Sequence, residues 1–195
     1  MNRLLILKIA CWIGVILPLL WLIFKLLNGA LSADPAKDIQ HFTGQIALRV
    51  LLITLILSPL VYLFKWSLFN RVKRLLGLAS FFWACAHVMS YFVFELSLDL
   101  TLFISEILER RYLQIGAIAW LGLFILAMTS FKAAMRRLKK YWKRIHNMVY
   151  LIAALIIIHY YLSLKLKQVE PLIYGFILLL LWGYHIYRKV KKQQR

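Results

Sequence analysis

Five histidines hold most of the chemistry available to this chain: His41, His87, His146, His159 and His185. His87, His146 and His159 fall inside or at the edge of long apolar stretches. An ionisable side chain there is expensive and is by default a candidate functional group. Neutral imidazole can ligate a metal or relay a proton, or simply hydrogen-bond a neighbouring carbonyl. At about 1.5 Å of rise per residue, His87 lies roughly 18 Å along a helix that starts near Leu75. His159 lies roughly 20 Å along one that starts near His146. Two imidazoles at matched depth, on helices running the same way, can take both axial positions of a haem iron. Zinc also suits imidazole, but no cysteine or carboxylate falls at that depth to complete a tetrahedral site. Di-iron chemistry would need clustered carboxylates or histidines three or four residues apart, and the apolar stretches contain neither.

The elements that must carry these residues follow from composition. Of 195 residues, 63% are hydrophobic and 16% charged, with a mean hydropathy of +0.77. That leaves too little polar surface for a water-facing globule of this size, and it excludes disorder. Six mostly apolar stretches stand out, at about 4–27, 46–64, 75–94, 112–130, 146–164 and 172–187. Each approaches the roughly 20 residues that a helix needs to cross a bilayer. The first is too long for the apolar region of a signal peptide, about 7–15 residues, and is read as a retained helix. The expectation is an all-α integral membrane protein, a bundle of six transmembrane helices forming a single domain over residues 1–195.

Charge sets the expected orientation. All seven acids (Asp34, Asp38, Glu95, Asp99, Glu106, Glu109, Glu170) fall after the first, third and fifth stretches. Basic runs follow the second (Lys65, Arg71, Lys73, Arg74), the fourth (Lys132 to Arg144) and the sixth (Arg188 to Arg195). Lysine and arginine accumulate on the cytoplasmic side, so both termini are expected there. The net charge of +18 is then explained by topology and by anionic lipid head groups, with no nucleic acid partner required.

On that orientation His146 sits near the cytoplasmic end of the fifth helix, at the level of Lys73 or Arg74 on the third. Arginine is a poor iron ligand but pairs with a haem propionate or a flavin phosphate. A second haem on His146 would need another ligand, and thirteen residues leave His146 and His159 about 140° apart on an ideal helix. His41 is placed in the first outer loop, as a docking or quinone-site residue or a plain loop histidine. His185 reads as an interfacial histidine beside Tyr184 and Tyr187. Gly77 could let a flat macrocycle approach, or could serve helix packing. Cys11 and Cys85 have neither metal-site nor disulfide spacing. No internal repeat and no nucleotide-binding glycine motif is visible.

Several segments resemble the MsrQ family. They are Ala33-Asp34-Pro35 with Asp38-Ile39-Gln40-His41-Phe42-Thr43-Gly44, Arg74-Leu75-Leu76-Gly77-Leu78, and His87 with Ser90-Tyr91. His146-Asn147 with Val149-Tyr150-Leu151, His159-Tyr160, and Pro171-Leu172-Ile173-Tyr174 complete the set. More distantly, the chain is similar to the ferric reductase-like transmembrane domain, which carries two histidines on each of helices three and five. Here His87, His146 and His159 match, and the Lys73/Arg74 region stands at the fourth position. The resemblance implies a multi-pass protein of the bacterial inner membrane, binding haem b (one or two) and FMN. It implies electron transfer from the quinone pool, or from a cytoplasmic flavin reductase, to MsrP, a periplasmic molybdopterin enzyme that reduces methionine sulfoxide in oxidised proteins. Such a subunit carries electrons and borrows its catalytic partner. The implied ligands are His87, His159 and His146 for iron, with Arg74 as a cofactor-binding residue. A ferric reductase-type cytochrome b and a non-redox transporter or assembly protein are the competing readings.

Overall fold

The computed structural model describes residues 2–164 and 168–194, with Lys192 described in its backbone alone. Arg195, at the end of the expected basic tail, lies outside the described residues. The described residues form helices joined by short connections, with no strand among them. The helices are α1 (Arg3–Leu27), α2 (Pro35–Leu63), α3 (Lys73–Ser90), α4 (Leu100–Glu109), α5 (Arg111–Met128), α6 (Lys132–Leu138), α7 (Lys140–Asn147), α8 (Val149–Ser163) and α9 (Glu170–Gln193). Five helical segments among them are long and apolar enough to span a membrane: Arg3–Leu27, Pro35–Leu63, Lys73–Glu95, Arg111–Met128 and Lys140–Ser163. The sixth expected stretch, 172–187, lies within α9.

Two expectations need correction. The second helix begins at Pro35, not near residue 46, so His41 is helical and not in a loop. The Asp34 side chain accepts the Lys37 N–H at 3.2 Å, and Pro35 occupies the first turn. An aspartate cap followed by proline is a helix start, and this one outweighs the polar residues that made 34–45 look like a loop. The loop expected after the third stretch is largely helical as well. α3 runs into a π-helical turn at Tyr91–Glu95, the chain reverses through Ser97 and Leu98 at positive φ, and α4 follows. The fifth stretch corresponds to the span Lys140–Ser163, within which α7 and α8 meet at Met148. α6 parts from α7 at Lys139, φ 48°.

The chain divides into two compact units, residues 1–106 and 107–195. In the first, α2 packs along α3. Its core holds Val50, Leu57, Val72, Leu76 and Ala79, and the fully buried Ser80 donates its hydroxyl to the Ala47 carbonyl at 2.8 Å. α1 contributes little: Leu22 is its single buried residue among those described, and its apolar side chains from Leu5 to Leu27 are largely exposed. Such a surface belongs in lipid. In the second unit α5 packs on α8, and α8 on α9. Small residues bring α5 and α8 close. Ala119 and Ala153 are buried, and a Cβ on Gly122 would stand 2.7 Å from Cγ1 of Ile152. Without a solvent-driven hydrophobic force between spans, close packing of this kind is what joins membrane helices.

Candidate functional site

His87 lies on α3, half-buried. Its Nδ1 is 2.9 Å from the Gln40 carbonyl on α2. A carbonyl only accepts, so Nδ1 carries the proton and, in the neutral ring, Nε2 carries the lone pair. Gly44 stands one helical turn beyond Gln40, where a Cβ would be 3.0 Å from His87 Nδ1. The Thr43 hydroxyl donates back to the same turn of α2, 2.8 Å from the Ile39 carbonyl and 3.0 Å from that of Gln40.

His159, on α8, repeats the arrangement inside the second unit. Its Nδ1 is 2.7 Å from the Tyr112 carbonyl at the start of α5. The Tyr112 ring stacks on the imidazole with centroids 6.0 Å apart. Gly116, again one turn beyond the carbonyl, would place a Cβ 2.8 Å from His159 Nδ1 and Cε1. In both units 47 residues separate the carbonyl from its histidine. The sequence shows no repeat in its letters, yet the structure builds one histidine clamp twice, 72 residues apart. In each unit a tyrosine after the histidine also donates to a glutamate of the next helix: Tyr91 to Glu106 on α4 at 3.2 Å, and Tyr160 to Glu170 on α9 at 2.9 Å.

The same 72-residue offset sets His146 where the first unit has Arg74. His146 is held differently from the other two. Its Nε2 lies 3.1 Å from Thr129 Oγ1, whose own proton goes to the Ile125 carbonyl at 2.7 Å. The hydroxyl therefore accepts, and here Nε2 bears the hydrogen. Trp142 stacks on this ring at 4.2 Å and donates its Nε1–H to the Thr129 carbonyl at 2.9 Å. His146 is thus tied to the end of α5 and His159 to its start, so the two occupy different levels of one unit. Arg74 is exposed on the first turn of α3. Neighbouring Lys73 donates to Ser58 Oγ at 3.2 Å.

The other expected residues are placed as follows. His41 is exposed on α2 and lines an open cavity of about 230 Å³ with Lys25, Asp38, Phe42 and Gln45. His185 is half-buried on α9, its ring 4.8 Å from that of Tyr150. A Cβ on Gly77 would meet Thr54 at 4.0 Å, an ordinary contact. Among the described residues no three histidine, cysteine or acidic side chains gather to hold a metal ion. Gly44 and Gly116 are the site residues that sequence reasoning passed over. Their signal was equal spacing from the two histidines.

Long apolar helices with internal histidines define a class: residues 9–157 match the family described as ferric reductase like transmembrane component. The protein is a multi-pass membrane protein of that class. Its relatives narrow this further. The chain is 48% identical over 181 residues to the protein-methionine-sulfoxide reductase heme-binding subunit MsrQ of Cronobacter sakazakii, covering 91% of this chain and 90% of the relative. MsrQ of Pectobacterium carotovorum is 47% identical, with 94% of each chain covered. MsrQ of Salmonella arizonae is 46% identical, with 97% and 95% covered. The chain belongs to the MsrQ family. No solved structure matches it.

Proposed function

We propose that this protein is the haem b-binding, electron-transferring membrane subunit of a methionine sulfoxide reductase system. His87 and His159 are the residues that would hold the haem, and the partner is a periplasmic molybdopterin enzyme of the MsrP kind. The observation that carries this reading is the clamp built twice. Each Nδ1–H is given to a helix carbonyl, which selects the tautomer with its lone pair on Nε2, the form an iron ligand needs. That donor set fits a haem, which supplies a one-electron couple when bound. The relatives' names, heme-binding subunits of the same reductase, support the same assignment.

The remaining parts rest on the charge pattern and on family likeness. Residues 1–195 serve as one ferric reductase-like domain of six spans in the bacterial inner membrane, with both termini cytoplasmic. Donors are the quinone pool or a cytoplasmic flavin reductase. FMN is the associated flavin. At the cytoplasmic level His146 and Arg74 are the residues available to a second haem or to an anionic cofactor group. For Nε2 of His146 to ligate iron, it must first give up Thr129.

The test is a reduced-minus-oxidised visible spectrum of the purified protein. A haem b signature lost in His87→Ala and in His159→Ala is expected. A colourless, folded protein made with ample haem refutes the reading. Haem per polypeptide, compared between wild type and His146→Ala, decides between one haem and two. Deleting the gene should raise methionine sulfoxide in periplasmic proteins. Impaired iron reduction with no such rise would favour a ferric reductase.

A further inference from the structure

We propose that Gly44 and Gly116 are positioning residues for the two histidines: each leaves a gap that only hydrogen fills, and the imidazole settles there against its carbonyl. The inference rests on the haem-ligand reading above and deepens it.

The argument is steric and begins inside each unit. A Cβ at 116 would stand 2.8 Å from both Nδ1 and Cε1 of His159, and 3.3 Å from Cγ. It would therefore meet the ring face or edge at less than contact distance along its whole near side. A Cβ at 44 would stand 3.0 Å from Nδ1, 3.1 Å from Cε1 and 3.5 Å from Cγ of His87. In both clamps the glycine is four residues after the carbonyl that accepts Nδ1–H, on the same helix face. A methyl group there pushes the ring away from the atom that fixes its tautomer. The imidazole is the free end of a side chain, so it yields before the helix does. Loss of the Nδ1–H···O bond then frees the tautomer and the ring orientation together. Outer-shell partners of metal-bound histidines are worth about 10- to 100-fold in metal affinity.

The two sites are graded. The second clamp is tighter by about 0.2 Å at its closest atoms, so alanine at 116 must do more harm than alanine at 44. A built-in control lies on the same helix. Gly122 is at least as crowded, with a Cβ 2.7 Å from Ile152 Cγ1, but it touches no histidine. If crowding between α5 and α8 were all that mattered, Gly122→Ala and Gly116→Ala would behave alike.

The experiment compares wild type, Gly44→Ala, Gly116→Ala, Gly122→Ala and His159→Ala. Each is purified in detergent and measured for haem per polypeptide, spin state by electron paramagnetic resonance, midpoint potential, and fold by circular dichroism. Gly116→Ala should bind haem about tenfold or more weakly, or hold it high-spin with a shifted potential, while its helix content stays native. Gly44→Ala should change in the same direction by less. Gly122→Ala should keep the wild-type spin state and potential. Wild-type spectra and potentials in Gly116→Ala overturn the proposal, as does an equal loss in Gly122→Ala. If wild type itself binds no haem, or His159→Ala keeps the full spectrum, the ligand reading fails instead, and the two failures are told apart.

Discussion

Adding one methyl group at Gly122 tests the contact between α5 and the Ile152 side chain of α8, away from the histidine clamp. The new Cβ would stand 2.7 Å from Cγ1 and 2.8 Å from Cδ1 of Ile152. Ordinary carbon contacts are about 3.5–4.0 Å. Ile152 must therefore leave its rotamer, since the end of a side chain yields before the helices do. Overpacking of this kind costs about 1–3 kcal/mol. Alanine regains about 0.5–1 kcal/mol over glycine in a helix interior. The net expectation for Gly122→Ala is a loss of about 1–2 kcal/mol. In an Ile152→Ala background the clashing atoms are gone, so the same change should stabilise by about 0.5–1 kcal/mol. The sign reverses, and a coupling of about 2 kcal/mol results, within the range for contacting residues. Reversible unfolding of the four proteins in mixed micelles, followed by circular dichroism, measures that coupling. Additivity to within about 0.5 kcal/mol would refute the reasoning, because Gly122 and Ile152 would then not be in contact.

Three further outcomes follow from particular contacts. Thr129→Val removes the acceptor of His146 Nε2–H but leaves the carbonyl that takes the Trp142 N–H. If a second haem binds through His146, this variant should bind it about 2- to 10-fold tighter, the worth of one hydrogen bond, and haem titration checks it. Ser80→Ala should destabilise the α2–α3 pair by about 0.6 kcal/mol, the average for hydrogen bonds between membrane helices, as measured in the same unfolding assay. At the start of α2, hydrogen bonds from the Lys37 side chain and then its backbone N–H hold the Asp34 carboxyl below its usual value near 3.8. A depressed folded value means that the cap is fully present above the ordinary carboxylate pKa and is lost as pH falls through the folded one. Hydrogen exchange at the Lys37 amide should therefore be faster in Asp34→Ala than in wild type at neutral pH, and the difference should vanish in strong acid.

The membrane class and the helical fold were legible in the residues alone. A chain so apolar must bury its backbone hydrogen bonds in helices, and an imidazole inside such a helix marks a candidate site. Five of the six expected stretches correspond to helices long enough to span. The Asp34-Pro35 start was also written in the chain, although the polar residues after it disguised a helix as a loop. What the residues could not disclose is how each imidazole is held. The Gln40 and Tyr112 carbonyls are backbone atoms, identical in every residue type, and each lies 47 residues from its histidine. Nothing in the letters tells which carbonyl a ring will find, or that Thr129 turns the His146 proton the opposite way. Gly44 and Gly116 looked like any other small residues until packing set a ring against each. Composition and periodicity depend on side-chain chemistry that is local to the chain. Tautomer and ring orientation depend on distances between helices, and only folding creates those.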